Sequence, residues 1–240
     1  MTLCKRHGLL FAALFGLLCW SGTALAESPI MWQFEIKGGG FAPGIDEEEG
    51  LTGSPFADVY GNGNGLLMMV EMDLQFYRGV IGSLAIGAGL GFMSMDGKSI
   101  DPDSGEQPGD QTTFELLPTQ LSLVYHFDVM AQRWNIPFVP FAKVGGDYWA
   151  WWILDSGSDL ARVDGNKAMG GTYGMHFSGG LKFLLDSIDP SSAQTFDHEM
   201  GVNNSYLMFE YQSATVNDFG GDKSFNLGGD AFLFGLAFEM

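Results

Sequence analysis

Period-two alternation of apolar and polar side chains recurs eight times along this chain, and that pattern constrains the fold more than any motif does. Residues 31–37 set Trp32, Phe34 and Ile36 against Gln33, Glu35 and Lys37. Residues 66–76 set Leu66, Met68, Val70, Met72, Leu74 and Phe76 against Glu71, Asp73 and Gln75. The third segment opposes Leu84, Ile86, Ala88, Leu90 and Phe92 to Ser83, Ala85, Gly87, Gly89 and Gly91, a face almost free of side chains. Residues 79–95 are uncharged, but five glycines and the period of two argue against a membrane helix there. The fourth segment, 113–128, starts with Phe114 and Leu116 outward and resumes with Leu121, Leu123, Tyr125 and Phe127. The phase flip at Leu117-Pro118 predicts a bulge. The fifth opposes Phe138, Ala142, Val144, Tyr148 and Trp152 to Lys143, Gly145 and Asp147. The sixth, 172–185, opposes Tyr173, Met175, Phe177, Leu181 and Phe183 to Thr172, His176, Ser178 and Lys182. The seventh, 206–214, opposes Leu207, Phe209 and Tyr211 to Glu210 and Gln212, and the last carries Phe232, Phe234, Leu236, Phe238 and Met240 on one face.

Eight strands are an even number, and their connections alternate in length. Stretches 39–65, 94–112, 154–171 and 215–226 are long, while 77–81, 129–137 and 186–205 connect the other ends. This rhythm predicts an all-β fold, an eight-stranded antiparallel up-and-down transmembrane barrel with long loops outside and turns in the periplasm. Asp189 as cap, Pro190 at the first helical position and Gly201 as terminator predict a short helix in the last periplasmic connection.

A soluble barrel would hide its apolar face, so the polar face decides the solvent. Here that face is sparse, glycine-rich and internally charge-matched, with Glu35, Glu71, Asp73, Asp147 and Glu210 against Lys37, Lys143 and Lys182. The aromatic-rich faces are then the ones left for lipid. Five acids and three bases in a narrow interior predict a paired network, with Lys143 restraining carboxylates such as Asp147. Tyr148, Trp149, Trp151 and Trp152 are expected to form the external aromatic girdle.

Residues 1–26 read as a secretory signal: Lys5 and Arg6 start it, an apolar run from Leu9 to Leu18 follows, and Ala24-Leu25-Ala26 ends it. The expected organisation is a cleaved signal over 1–26, export through the Sec pathway, and a barrel domain over 27–240. The apolar run is too short to span a bilayer, and bulky Leu18 before Cys19 argues against a lipoprotein. Both cysteines, Cys4 and Cys19, lie in the signal, which excludes disulfides and thiolate chemistry from the mature chain. The formal charge is −18 for the whole sequence and −20 once Lys5 and Arg6 are removed, which argues against nucleic acid as a partner.

Three stretches carry a resemblance. Phe114-Glu-Leu-Leu-Pro118-Thr-Gln-Leu-Ser-Leu-Val-Tyr125-His-Phe127 resembles OmpW-type barrels in its Leu-Pro-Thr strand and Tyr-His-Phe ending. Together with Gly39-Gly-Phe-Ala-Pro43-Gly-Ile45-Asp46 and Ile136-Pro-Phe-Val-Pro140-Phe-Ala-Lys143-Val-Gly-Gly-Asp147-Tyr148-Trp149, it is similar to a family of small outer-membrane β-barrel proteins described chiefly from myxobacteria and related deltaproteobacteria. The resemblance implies an OmpW/OmpA-like eight-stranded barrel in the Gram-negative outer membrane. It implies no defined activity. Gly235, Phe238 and Met240 resemble the carboxyl-terminal signal read by the barrel-assembly machinery, with Met in place of the usual terminal Phe.

Chemistry is sparse. His176-Phe-Ser178 is similar to the His-x-Ser pair of outer-membrane lipid A deacylases, but the sequence offers it no carboxylate partner. His126 beside Asp128 reads as a hydrogen-bonded rim residue. Asp46-Glu-Glu-Glu49 could attract a divalent cation but lacks the spacing of a calcium loop. The run Gly61-Asn-Gly-Asn-Gly65 has no P-loop lysine and reads as a flexible loop. No residue is therefore assigned as catalytic, metal-binding or cofactor-binding, and no cofactor is expected. The four long loops hold 15 acidic and four basic residues, a formal charge of −11. The expected function is a non-enzymatic anchor presenting these loops, with lipid, lipopolysaccharide, the assembly machinery and divalent cations as partners. The alternatives are an OmpW-like narrow channel for small or hydrophobic solutes and, more remotely, a lipid-modifying enzyme.

Overall fold

A computed structural model describes residues 31–48, 51–100, 110–163, 165–221 and 226–240. The signal-segment reading therefore lies outside the described residues, as does Glu49. Eight strands form the wall: β1 (Trp32–Phe41), β2 (Gly65–Arg78), β3 (Ser83–Lys98), β4 (Gln111–His126), β5 (Phe138–Leu154), β6 (Met169–Leu184), β7 (Asn204–Val216) and β8 (Gly229–Glu239). Each pairs antiparallel with its chain neighbours, and β1 pairs with β8 to close the barrel. Residues flanking β1 and β8 lock the seam, where Met240 N–H donates to Trp32 O at 2.8 Å and Met31 N–H donates to Met240 O at 3.0 Å. Closure leaves no sheet edge, which is the condition for strands to stand in hydrocarbon.

The outward face is apolar. Along β2 the six outward positions from Leu66 to Phe76 carry no charge, and Leu66 is 64% exposed. Outward Leu84 to Phe92 on β3, and Phe232 to Phe238 on β8, continue this belt. Strand segments of about 9–11 residues, tilted, cross a hydrocarbon core. Among the described strand residues, outward charges return only at the ends of the belt, with Arg78 on one side and Asp96, Glu115 and Asp230 on the other.

Two expectations are corrected, both for the same reason. No bulge interrupts β4: Leu90 pairs with Thr119 and Met93 with Leu116 in one register, and the pairing with β5 is continuous. Pro118 lacks an N–H, and the β3–β4 ladder simply skips the pairs opposite Leu117 and Pro118. Phe114 and Leu116 accordingly point into the lumen, where both are buried. The expected aromatic girdle likewise divides by parity. Tyr148 faces out and stacks obliquely on Tyr173 at 4.8 Å, whereas Trp149 is wholly buried inside and Trp151 packs against the same interior cluster. The lumen is apolar toward the loop end, so polarity alone misplaces inward residues there.

A bulge does occur at the turn end, between Gln75 and Tyr77 on β2. The predicted last-connection helix is present as Pro190–Met200, with Ser191 N–H donating to Asp189 at 3.2 Å and Gly201 at φ 70° ending it. A second turn-end helix, Val129–Trp134, was not expected; Asn135 closes it in the left-handed conformation. At the loop end, the short helix α1 (Pro55–Tyr60) packs against Phe114 and Gly97 on one side of the barrel mouth, and Arg162–Val163 pairs antiparallel with Asn166–Lys167.

Candidate functional site

The inward face divides the lumen into layers. Toward the turn end, Val139, Phe141, Tyr206, Met208 and Ala237 form a small apolar cluster. Toward the loop end lies a larger one, including Phe41, Leu67, Met93, Phe114, Leu116 and Trp149. Between them sits the charge network expected from alternation.

Three lysines hold three glutamates across the barrel. Lys37 Nζ donates to Glu71 and Glu210, each at 2.8 Å. Lys143 Nζ donates to Glu35 and Glu71, each at 2.7 Å. Lys182 Nζ reaches Glu35 at 2.8 Å and His126 Nε2 at 3.1 Å. An ammonium has no lone pair, so His126 Nε2 accepts and the ring proton sits on Nδ1. His126 is thus tied to Lys182 and buried rather than standing at an open rim. The lysine–glutamate pairs cross-link five of the eight strands and the contact with His126 adds a sixth, and every one of these side chains is essentially inaccessible. Glu35, Glu71 and Glu210 converge closely enough to hold a cation, but the ammonium groups already occupy that role.

Two further carboxylates stand outside the lysine cluster. Asp73 accepts from Gln33 Nε2 at 3.1 Å. Asp147 was expected beside Lys143; instead it accepts from Gln120 Nε2 at 2.9 Å and Trp149 Nε1 at 3.0 Å, and meets His176 Nδ1 at 2.8 Å. The other ring nitrogen of His176 lies 3.0 Å from Ser122 Oγ. Hydroxyl, imidazole and carboxylate thus stand in the order of a Ser-His-Asp relay. The serine is Ser122 of β4, not Ser178 of the His-x-Ser pair, whose Oγ is buried without a partner. Ser122 faces inward between outward Leu121 and Leu123, but only the β4–β5–β6 register brings it to His176, through Ser122 opposite Gly145 and Gly145 opposite His176. Ser122, His176 and Asp147 are all buried, in the lumen between the two apolar clusters.

The mouth is built by loop residues. Asp46 accepts from the backbone N–H of Phe56 at 2.8 Å and of Ala57 at 2.9 Å, which anchors the start of α1. The acidic run is therefore partly structural, since Glu48 also accepts from Asn226 N–H at 3.4 Å. Phe56 meets Phe114 edge-on at 5.3 Å, and Tyr60 packs on the same ring at 5.9 Å. Burial holds the Tyr60 phenol above its ordinary pKa, opposed by its hydrogen bond with Thr112. Gly97 on β3 lets α1 come this close, because a Cβ there would strike Val59 O and the Tyr60 ring. The stretch 61–65 is the short link from α1 into β2, and its Gly65 packs against Met93 and Met95.

No family model and no curated protein matches the sequence. Among solved structures, the chain is similar to neisserial surface protein A, at 11% identity and a TM-score of 0.46 over 89% of this chain and 98% of that one. OprG from Pseudomonas aeruginosa matches at 10% identity and a TM-score of 0.48, covering 90% and 99%. Ail, the attachment invasion locus protein of Yersinia pestis, matches at 8% identity and a TM-score of 0.44, covering 88% and 97%. The closed eight-stranded barrel itself stands on the strand register described above.

Proposed function

We propose that this protein is an integral β-barrel of the Gram-negative outer membrane that anchors an acidic external surface and does not pass solute. The charge-free outward belt supports the membrane, and the lysine-glutamate layer carries the anchor reading. Eight strands leave a lumen that side chains can fill, and here two apolar clusters and a salt-bridged layer lie in series along it. The loop end is then the working part, where the formal charge of −11 repels anions and attracts cations and cationic partners. Lipid and lipopolysaccharide surround the belt in this reading, and β8 is the strand offered to the barrel-assembly machinery.

Reconstitution tests it. The mature protein should shift its gel mobility on heating, as closed barrels do, and should show no discrete conductance in planar bilayers. Deleting residues 45–60 removes α1 and its Asp46 anchor, yet the charged layer remains, so that form should stay non-conducting too. A discrete conductance in the intact protein would overturn the anchor in favour of the narrow channel.

One observation favours a second reading, the Ser122–His176–Asp147 relay. An acyl-transfer enzyme needs a reachable nucleophile, so a fluorophosphonate separates the two. The anchor reading expects no adduct on Ser122 in the folded barrel, and stoichiometric labelling there would establish the enzyme.

A further inference from the structure

The mouth of the barrel is not merely plugged. Strands β3, β4 and β5 rise beyond the apolar belt, to Lys98, from Gln111 and to Leu154, and form a raised wall on one side. Helix α1 leans on the inner face of that wall through Phe56, Tyr60 and the close approach at Gly97. Between helix and wall remains a recess of about 360 Å3. Ile45, Leu51, Val59, Phe114, Trp151 and Ile153 give it an almost wholly apolar lining, and the lining residues that carry a hydroxyl are Tyr60, Ser99 and Thr112.

A chain that only needed a seal would fill this space. Apolar voids cost free energy in proportion to their volume, and a larger side chain at Val59, Ser99 or Thr112 would close the recess. The nine residues after Ile100, positions 101–109, hold no leucine, isoleucine, valine, methionine or aromatic residue with which to fill it. The helix is nonetheless fixed firmly, by the Asp46 cap, the ring contacts and Gly97, so the space is held open by packed structure.

We propose that the recess is a binding site for a neutral, largely apolar small molecule of about a dozen non-hydrogen atoms, taking roughly 30 Å3 for each. An alkyl chain ending in one hydroxyl or carbonyl matches it. The tail lies against Phe114, Trp151 and Ile153, and the polar end reaches Tyr60 and Thr112, whose oxygens are 3.5 Å apart. An anion is disfavoured by the net negative charge of the loops, to which Asp58 on α1 itself contributes. The recess is a dead end, since Phe114 forms part of its floor and belongs to the apolar cluster that closes the lumen below. The proposal therefore holds whether or not the barrel conducts.

Bromodecanol is the probe, because bromine quenches indole fluorescence on contact and Trp151 lines the site. The mature protein is placed in lipid nanodiscs and titrated as wild type, Val59→Arg, Leu51→Arg and Trp151→Phe, each checked for folding by its heat-shifted gel mobility. Bromodecanol dissolved in lipid quenches linearly in all four. The site adds a saturable component in the wild type that disappears in Trp151→Phe and is weakened by about tenfold or more when a charge is placed in the lining. Leu51 is well exposed, so Leu51→Arg serves if Val59→Arg does not fold. Bromodecanoate should bind several-fold more weakly than bromodecanol. Purely linear quenching in every form, as when the chain itself fills the recess, overturns the site. Equal binding of bromodecanoate overturns the neutral class of ligand.

Discussion

The middle of the lumen and its loop-side third are packed by opposite means. In the middle, three lysines and three glutamates lie among side chains that exclude water, and each is retained because its partners are fixed on other strands. Toward the loops the same inward positions carry Phe41, Leu67, Met93, Phe114, Leu116 and Trp149, an ordinary hydrophobic core inside a barrel whose outside is also apolar. The difference is one of tolerance. An apolar cluster loses energy in proportion to the atoms removed, whereas a buried ion network fails when one charge is left without its counter-charge.

The largest effect should therefore come from the middle. Lys143→Met leaves Glu35 and Glu71 short of a counter-charge in a low-dielectric interior, and breaking such a pair costs about 3–5 kcal/mol. Urea unfolding in lipid vesicles should show a much lower midpoint, or the vesicles should leak. An unchanged midpoint together with unchanged permeability would mean that the lysine is not holding the layer. In the loop-side cluster, Leu116→Ala should cost about 2–5 kcal/mol by the same assay, from lost burial and the remaining cavity. It should leave conductance unaltered, because the charged layer beneath it stays intact. A leak in Leu116→Ala would show that the apolar cluster, not the ion layer, is the seal.

This contrast also explains what could be read in advance. Glu35, Lys37, Glu71, Asp73, Lys143, Asp147, Lys182 and Glu210 were all legible as inward residues, because a charge on an otherwise apolar strand marks the lumen face. Phe114, Leu116 and Trp149 were not, because an apolar residue on an apolar strand carries no parity mark, and Pro118 suggested a bulge that the ladder avoids by skipping two pairs. Partners across strands were harder still. Asp147 could be placed in the lumen but not assigned to His176, and Ser122 could not be joined to either, since register depends on loop geometry that alternation does not encode. The α1 helix escaped notice because six residues are too few to show a period.

Rigidity of the charged layer can be tested within one strand. At Gly87 an added Cβ would strike Asp73 Oδ1 and Glu71 Oε1, whereas at Gly89 the nearest atom is 3.6 Å away. Carboxylates on flexible stems could move aside cheaply in a loose site. Here Glu71 is pinned by two lysines, so moving it disturbs the network. Gly87→Ala should cost about 1–3 kcal/mol, as overpacking does. Gly89→Ala should stay within about 0.5 kcal/mol of the wild type. Equal midpoints for the two variants would show that the layer yields.

The smallest effect belongs to the seam between the two regions. Trp149 packs its ring against Phe41 at 5.5 Å in the apolar cluster while its Nε1–H donates to Asp147 in the polar layer. Trp149→Phe keeps much of the ring and deletes that donor. Asp147 Oδ1 still accepts from Gln120, so the carboxylate is not stranded, and the loss should be only about 1 kcal/mol. Gln120→Leu alone should cost a similar amount, since Trp149 then remains. The double variant leaves Asp147 Oδ1 without either donor and should cost more than the sum of the singles, the excess measuring how far one hydrogen bond substitutes for the other. Strict additivity in that cycle would mean that the two layers are packed independently and that Trp149 does not couple them.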